Sequence, residues 1–148
     1  MANTVEVSLR IDNSLLAKEE VRKAINRALE AIGLHVSGEA KEELSNAPKR
    51  IDTGLLRNSI TYAVYGQSPA VTSYTADTGE GAGSYSGKAP GESDGGMAVY
   101  IGSNVEYAAY VHEGTQKMAP NRFLKNAVEK NLDQIQRYIE REIQDAFS

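Results

Sequence analysis

The sequence predicts an α+β fold: a small antiparallel sheet of about four strands packed against a long N-terminal helix and a long C-terminal helix, with a mobile glycine-rich loop. Three observations carry that prediction. Apolar and polar residues alternate in several short runs, the period of a half-buried strand. Two much longer runs repeat apolar residues every three or four positions, the period of an amphipathic helix. Residues 76–96 hold seven of the 13 glycines and one large apolar side chain, Tyr85. Such a stretch buries too little surface to offset the entropy of ordering it. A length of 148 residues with 41% hydrophobic content suits one modest core, so residues 1–148 are expected to form a single domain with 76–96 as an inserted flexible loop.

Val5, Val7, Leu9 and Ile11 alternate with Glu6, Ser8 and Arg10, the pattern of a first strand. Asp12-Asn13-Ser14 turns the chain and offers helix caps. Val21, Ile25, Ala28, Leu29, Ile32, Val36, Ala40 and Leu44 then mark the long first helix. Gly33 and Gly38 weaken it by about 1 kcal/mol each relative to alanine, which allows a kink or break there. Pro48 ends the helix, because the residue before a proline avoids the helical region. Asp52-Thr53-Gly54 is a turn, with Leu55 and Leu56 packed beneath it. Ile60, Tyr62 and Val64 alternate with Thr61, Ala63 and Tyr65 in a second strand, and residues 70–75 read as a third. Met97, Val99 and Ile101 form a fourth. Pro120 suits a first helical position, where a missing N–H is harmless. From there Leu124, Val128, Leu132, Ile135, Ile139, Ile143 and Ala146 make one continuous stripe.

Between the fourth strand and the last helix lies Gly102-Ser-Asn-Val-Glu-Tyr-Ala-Ala-Tyr-Val-His-Glu-Gly-Thr115, the stretch around which the chain is organised. Ser103 and Asn104 are good N-cap residues. Val105, Ala108 and Val111 follow at helical spacing, and Gly114 is placed to stop the helix in a left-handed conformation. One of Tyr107 and Tyr110 is expected to face the core; the other, with His112 and Glu113, is expected to face outward.

Composition excludes several functions. There is no cysteine, hence no disulfide, thiolate nucleophile or cysteine zinc site. A net charge of −4 without a long Lys/Arg cluster argues against tight nucleic-acid binding. No apolar run reaches the roughly 20 residues that span a bilayer, and no signal peptide is visible. A soluble product of a cytoplasm is the expectation. Gly79, Gly81 and Gly83 lack the strand, helix and Gly-Lys-Ser/Thr of a phosphate loop. The fourth position after His112 is Gln116, so a second ligand of a His-Glu-x-x-His site is missing. Asp52, Glu106 and Glu113 are the candidate carboxylates of a small hydrolase, although turn capping explains Asp52 more simply. No cofactor or metal is expected.

Three segments resemble one family in order and spacing. They are Asp52-Thr-Gly-Leu-Leu-Arg-Asn-Ser-Ile60, the stretch from Gly102 to Thr115, and Asn121-Arg-Phe-Leu-Lys-Asn-Ala127. Together they are similar to the neck or tail-completion proteins of long-tailed bacteriophages, typified by the gene-ten product of lambdoid siphophages. The resemblance runs over roughly residues 15–140, outside the 76–96 loop. The chain departs from the pattern at Asn121-Arg122, where proline often directly precedes the phenylalanine, and at His112-Glu113, where Glu-Phe is commoner. The resemblance implies a structural virion protein of the head–tail junction or tail, made in the bacterial host cytoplasm, without catalytic residues or cofactor. Its implied partners are other phage head or tail proteins. Asp52, Thr53, Gly54, Arg57, Ser59, Gly114, Thr115 and Phe123 are the motif residues it singles out. A tail terminator or head-closure ring protein is the nearest alternative; a hydrolase and a host-encoded binding module are more distant ones.

The last helix is expected to overhang a sheet of short strands and leave Ile139, Ile143 and Phe147 exposed. Exposed apolar surface of that kind marks an interface. Docking near Tyr107 or Tyr110 of a neighbour, beside His112 and Glu113, would give self-association, with a ring as one form.

Overall fold

The computed structural model describes residues 5–11, 19–46, 55–65, 73–77, 84–88, 91, 97–103, 105 and 108–146. Their order is β1 (Val5–Arg10), α1 (Glu19–Glu43), α2 (Leu55–Ser59), β2 (Thr61–Tyr65), β3 (Ser73–Asp77), β4 (Ser84–Lys88), β5 (Ala98–Ser103), α3 (Ala108–Glu113), α4 (Phe123–Lys130) and α5 (Leu132–Ala146).

Three strands form the antiparallel sheet, in the order β1-β5-β2. Val7 pairs with Ile101, and Tyr62 pairs with Ile101 from the other side. That register puts Val5, Val7, Leu9, Val99, Ile101, Tyr62 and Val64 on the face that packs into the main core. On the opposite face Ala63 and Tyr65 of β2 and Ala98 and Tyr100 of β5 form a second buried cluster. Gly102 lets β1 approach β5, since a Cβ there would stand 2.3 Å from the Val5 carbonyl oxygen.

The expected four-stranded sheet is corrected to three. The predicted third strand, residues 70–75, is displaced to β3 and pairs with β4 in a separate two-stranded sheet. β4 falls inside residues 76–96, which composition assigns to a loop. Composition measures apolar burial, whereas a two-stranded ladder satisfies backbone groups with hydroxyl and tyrosine residues of good strand propensity. Gly91, in the same segment, is buried with φ +83. Its N–H donates to Glu6 Oε2 at 2.8 Å, and its carbonyl accepts from the Tyr65 hydroxyl at 3.2 Å. A Cβ at Gly91 would lie 2.3 Å from the Tyr100 ring, so only glycine fits against that ring.

α1 is unbroken through both of its glycines. It buries Ile25, Leu29, Ile32, Val36 and Ala40. Each large side chain buried this way contributes about 1.5–3 kcal/mol. The helix packs against β2 and β5 on one side and against α4 and α5 on another. Arg27 Nε meets Glu142 Oε2 at 2.8 Å, His35 Nε2 meets Asn131 Oδ1 at 3.0 Å, and Lys130 reaches Glu43. Ascending numbers on α1 meet descending numbers on α4–α5, so the two layers run antiparallel.

The C-terminal stripe is two helices rather than one. Asn131 separates them, with its backbone N–H turned to the Val128 carbonyl at 3.1 Å. Its side-chain amide takes the Ala127 carbonyl at 2.7 Å instead. The freed side-chain oxygen meets His35, which pins the break to α1. The predicted overhang is also corrected. At about 1.5 Å per residue, α4 and α5 together match α1 in length, and Ile135, Ile139 and Ile143 pack half-buried against the core. α5 nevertheless has no fully buried residue, and Leu132 at its start is 57% exposed.

Candidate functional site

Ser59, at the end of α2, and Ser103, at the end of β5, are fully buried and meet at 2.6 Å. Ser59 Oγ also donates to the Leu56 carbonyl at 2.7 Å. A hydroxyl has one proton, so Ser103 must donate to Ser59. The Ser103 oxygen then accepts the Val105 N–H at 3.2 Å, which turns the chain out of β5. This hydroxyl relay joins the first sequence landmark to the second. Ser59→Ala is expected to lower stability by about 1–2 kcal/mol. The double change with Ser103→Ala should lose less than the sum of the single losses. Denaturant titration checks this; additive losses would show that the two hydroxyls act independently.

Past this junction Val105, Ala108 and Val111 are buried, and Tyr110 is 51% exposed. The Gly114 N–H closes α3 on the Tyr110 carbonyl at 2.7 Å, and Gly114 has φ +80, the left-handed conformation expected of a glycine stop. Thr115 and Met118 then pair across a tight turn, in which Thr115 Oγ1 accepts the Lys117 N–H at 3.2 Å. Asn121 is buried. Its N–H donates to the Val111 carbonyl at 2.9 Å and its side chain donates to the Glu43 carbonyl at 3.0 Å. These two bonds hold Asn121 outside the helix, so α4 begins at Phe123 rather than at Pro120.

His112 is buried, contrary to the expectation that it faces outward. Its Nε2 accepts the Lys125 N–H at 3.3 Å, and its Nδ1 meets Glu113 Oε1 at 2.7 Å. A backbone N–H can only donate, so Nε2 is unprotonated and Nδ1 carries the proton. The ring stands edge-on to Phe123 with centroids 5.2 Å apart. The physical reason for its burial is now plain: Arg122, the α4 N-cap, makes no side-chain cap bond, and the imidazole supplies the missing acceptor. Glu113 is 62% exposed and approaches Arg122 Nε at 3.8 Å. The hydrogen bond from His112 holds its carboxyl below the usual range; burial works the other way, and the charges of Arg122 and Lys125 assist. A depressed carboxyl contributes stability above its ordinary value, and that contribution fades as pH falls through the lowered one. Exposure keeps it small.

The remaining predicted residues are scattered. Phe123 is fully buried, Arg57 is exposed on α2, and Ile139 and Ile143 lie along α1. With burial, the Arg57 charge lowers the Lys41 ammonium from its ordinary value, burial being the larger cause. Asp52, Thr53, Gly54, Glu106, Tyr107 and Phe147 lie outside the described residues. Asn121 and Glu43 were not legible as site residues. Glu43 is a buried carboxylate held by Lys130 and by the Asn46 amide at 2.6 Å. The signal available was a charge at a core-spaced position of α1, three residues after Ala40. Among the described residues, no group of three or more His, Asp or Glu side chains is placed to hold a metal ion.

The two landmarks joined by Ser59 and Ser103 lie, but for Thr115, within one family match. Residues 12–114 match the family described as "Bacteriophage HK97-gp10, putative tail-component". The chain belongs to this HK97-gp10-like family. The match ends just ahead of the third landmark, Asn121–Ala127 in sequence, so the resemblance noted for that segment falls beyond it. No curated protein and no solved structure matches the chain. For an HK97-gp10-like protein the family points to a phage structural role and to a place in the virion among tail proteins. No described helix is long and apolar enough to cross a membrane.

Proposed function

We propose that this HK97-gp10-like protein acts in tail completion or head–tail joining, through assembly with other phage head or tail proteins rather than by catalysis. The family match over residues 12–114 carries this reading. The engagement of both His112 nitrogens, Nε2 with the Lys125 N–H of α4 and Nδ1 with Glu113, supports it, because neither is left as a general base or ligand. The whole chain acts as one domain, and it binds neither a cofactor nor nucleic acid tightly.

The surface supports self-association as part of this reading. Tyr110 and Leu132 are among the large apolar side chains left exposed, and α5 is half-covered along its length. Exposed apolar surface of this kind suits a subunit interface, and a ring reuses it on every copy. Tyr110→Glu with Leu132→Glu removes it at two positions that contribute little to the core. The double variant should fold, by circular dichroism, yet fail to complement a prophage lacking the gene. Folded protein with normal yields of infectious particles would sink the assembly role of these residues. The stalled particles separate the alternatives: full heads beside finished tails indicate joining, whereas tails of uncontrolled length indicate a terminator.

A further inference from the structure

The fold covers α1 on two sides, with the sheet on one and α4–α5 on another. The remaining side is open to solvent and carries Leu34, which is 67% exposed. One turn further along lies Gly38, also exposed, with nothing within 4 Å of where a Cβ would stand. Residues four apart lie one above the other on a helix face, so a projecting apolar side chain sits beside a bare stretch of backbone. Neither helps the isolated chain: Leu34 leaves apolar surface in water, and a glycine inside a helix weakens it.

Two charges flank this pair. Glu30 lies about one turn before Leu34 and Lys41 about two turns after it. Three turns take about 11 residues, so Glu30 and Lys41 line up on the same flank of the strip, and Glu42 lies on the other. Glu30 is exposed and Lys41 half-buried, and neither side chain has an ion pair or hydrogen bond among the described residues. The Arg57 charge acts on Lys41, so that end of the strip is doubly positive.

We propose that this face of α1 binds the same face of a second copy, antiparallel, about a two-fold axis level with the midpoint of Leu34 and Gly38. That axis lays each Leu34 over the partner's Gly38, in the space that a side chain there would fill. It also brings each Glu30 within about 1.5 Å, along the helix, of the level of the partner's Lys41. A two-fold axis keeps these two on the same flank, so the apolar contact and the charge pair are each made twice. A parallel pairing in register would set like against like, Leu34 beside Leu34 and Gly38 beside Gly38. Self-complementarity is therefore the reason for a second copy as the occupant. One helix face makes a small interface, so the dimer is weak. It closes at two copies, unlike the ring contact proposed at Tyr110 and Leu132.

Sedimentation equilibrium of the full chain, with circular dichroism of each variant, tests this. The Tyr110→Glu/Leu132→Glu background silences the other surface, and in it the chain should still pass from monomer to dimer between about 1 µM and about 1 mM. Adding Leu34→Glu should keep it monomeric. Gly38→Gln should do the same, although glutamine suits a helix better than glycine. Glu30→Lys and Lys41→Glu should each raise the Kd by about tenfold or more, and the two together should recover most of that loss. Leu34 and Glu30 are exposed, so their variants decide the matter even if Lys41→Glu fails to fold. A dimer unmoved by Leu34→Glu, or a double charge reversal that associates no better than either single one, overturns the proposal. Association that vanishes with Tyr110→Glu/Leu132→Glu and survives Leu34→Glu in the natural chain overturns it too, and leaves the ring reading standing.

Discussion

Gly114→Val should destabilise the protein by about 3 kcal/mol or more, combining a left-handed backbone that a β-branched residue resists with a steric clash. Gly114 has φ +80, and a Cβ there would stand 2.9 Å from both the ring Cδ and the nitrogen of Pro120 and 3.0 Å from the Met118 carbonyl oxygen. Pro120 is rigid, and Met118 is bonded across the turn to Thr115, so neither yields cheaply. The turn also places Asn121, and through it the joint between α1, α3 and α4. Equilibrium denaturation of the variant measures the loss. A change below about 1 kcal/mol would mean that the turn relaxes freely and does not fix the joint.

The second large effect comes as a contrast within α1. Glycine to alanine in a helix interior normally stabilises by about 0.5–1 kcal/mol. Gly38→Ala should do so, since a Cβ at Gly38 meets nothing within 4 Å. Gly33→Ala should destabilise by about 1–3 kcal/mol instead, because overpacking outweighs propensity. A Cβ at Gly33 would be 2.4 Å from Cδ2, 2.6 Å from Cγ and 3.0 Å from Cβ of Tyr62. Those atoms belong to the root of the tyrosine, which β2 holds in place. Thermal melts of the two variants should move in opposite directions. A shift of the same sign in both would show that α1 does not rest on Tyr62 as closely as the geometry indicates.

Periodicity made the long helices and the strands β1, β2 and β5 legible. The same signal could not show that α1 is shared between two layers, because a helix covered on two sides reads as a wide apolar face with interruptions. Gly33 illustrates the limit: from sequence it is a weak point in a helix, and in the fold it is the seat of Tyr62. Asn131 is similar. One polar residue in an apolar stripe reads as neutral, whereas its side chain replaces a backbone bond and divides the helix. The left-handed Gly114 was legible because it follows an apolar helical pattern directly. His112 was misplaced because polarity suggested exposure; its role depends on an N–H thirteen residues later, which no local pattern encodes. The two-stranded β3–β4 sheet was missed because its residues are those of a loop in composition and those of a ladder only in pairing.

The shared position of α1 bears on how the chain is made. Its contacts with the C-terminal layer join residues 87, 96 and 115 positions apart. During synthesis the helix therefore emerges long before α4 and α5, and its side facing them stays bare until α5 has been made. The central strand arrives late as well, since β1 and β2 both wait for β5. Closing such long loops slows folding and lengthens the time for which sticky surface is open to other chains. At ribosome speeds of about 5–20 residues per second, that window lasts on the order of several seconds. A chaperone that shields α1 during those seconds would raise the yield of assembled protein without making any contact in the finished fold.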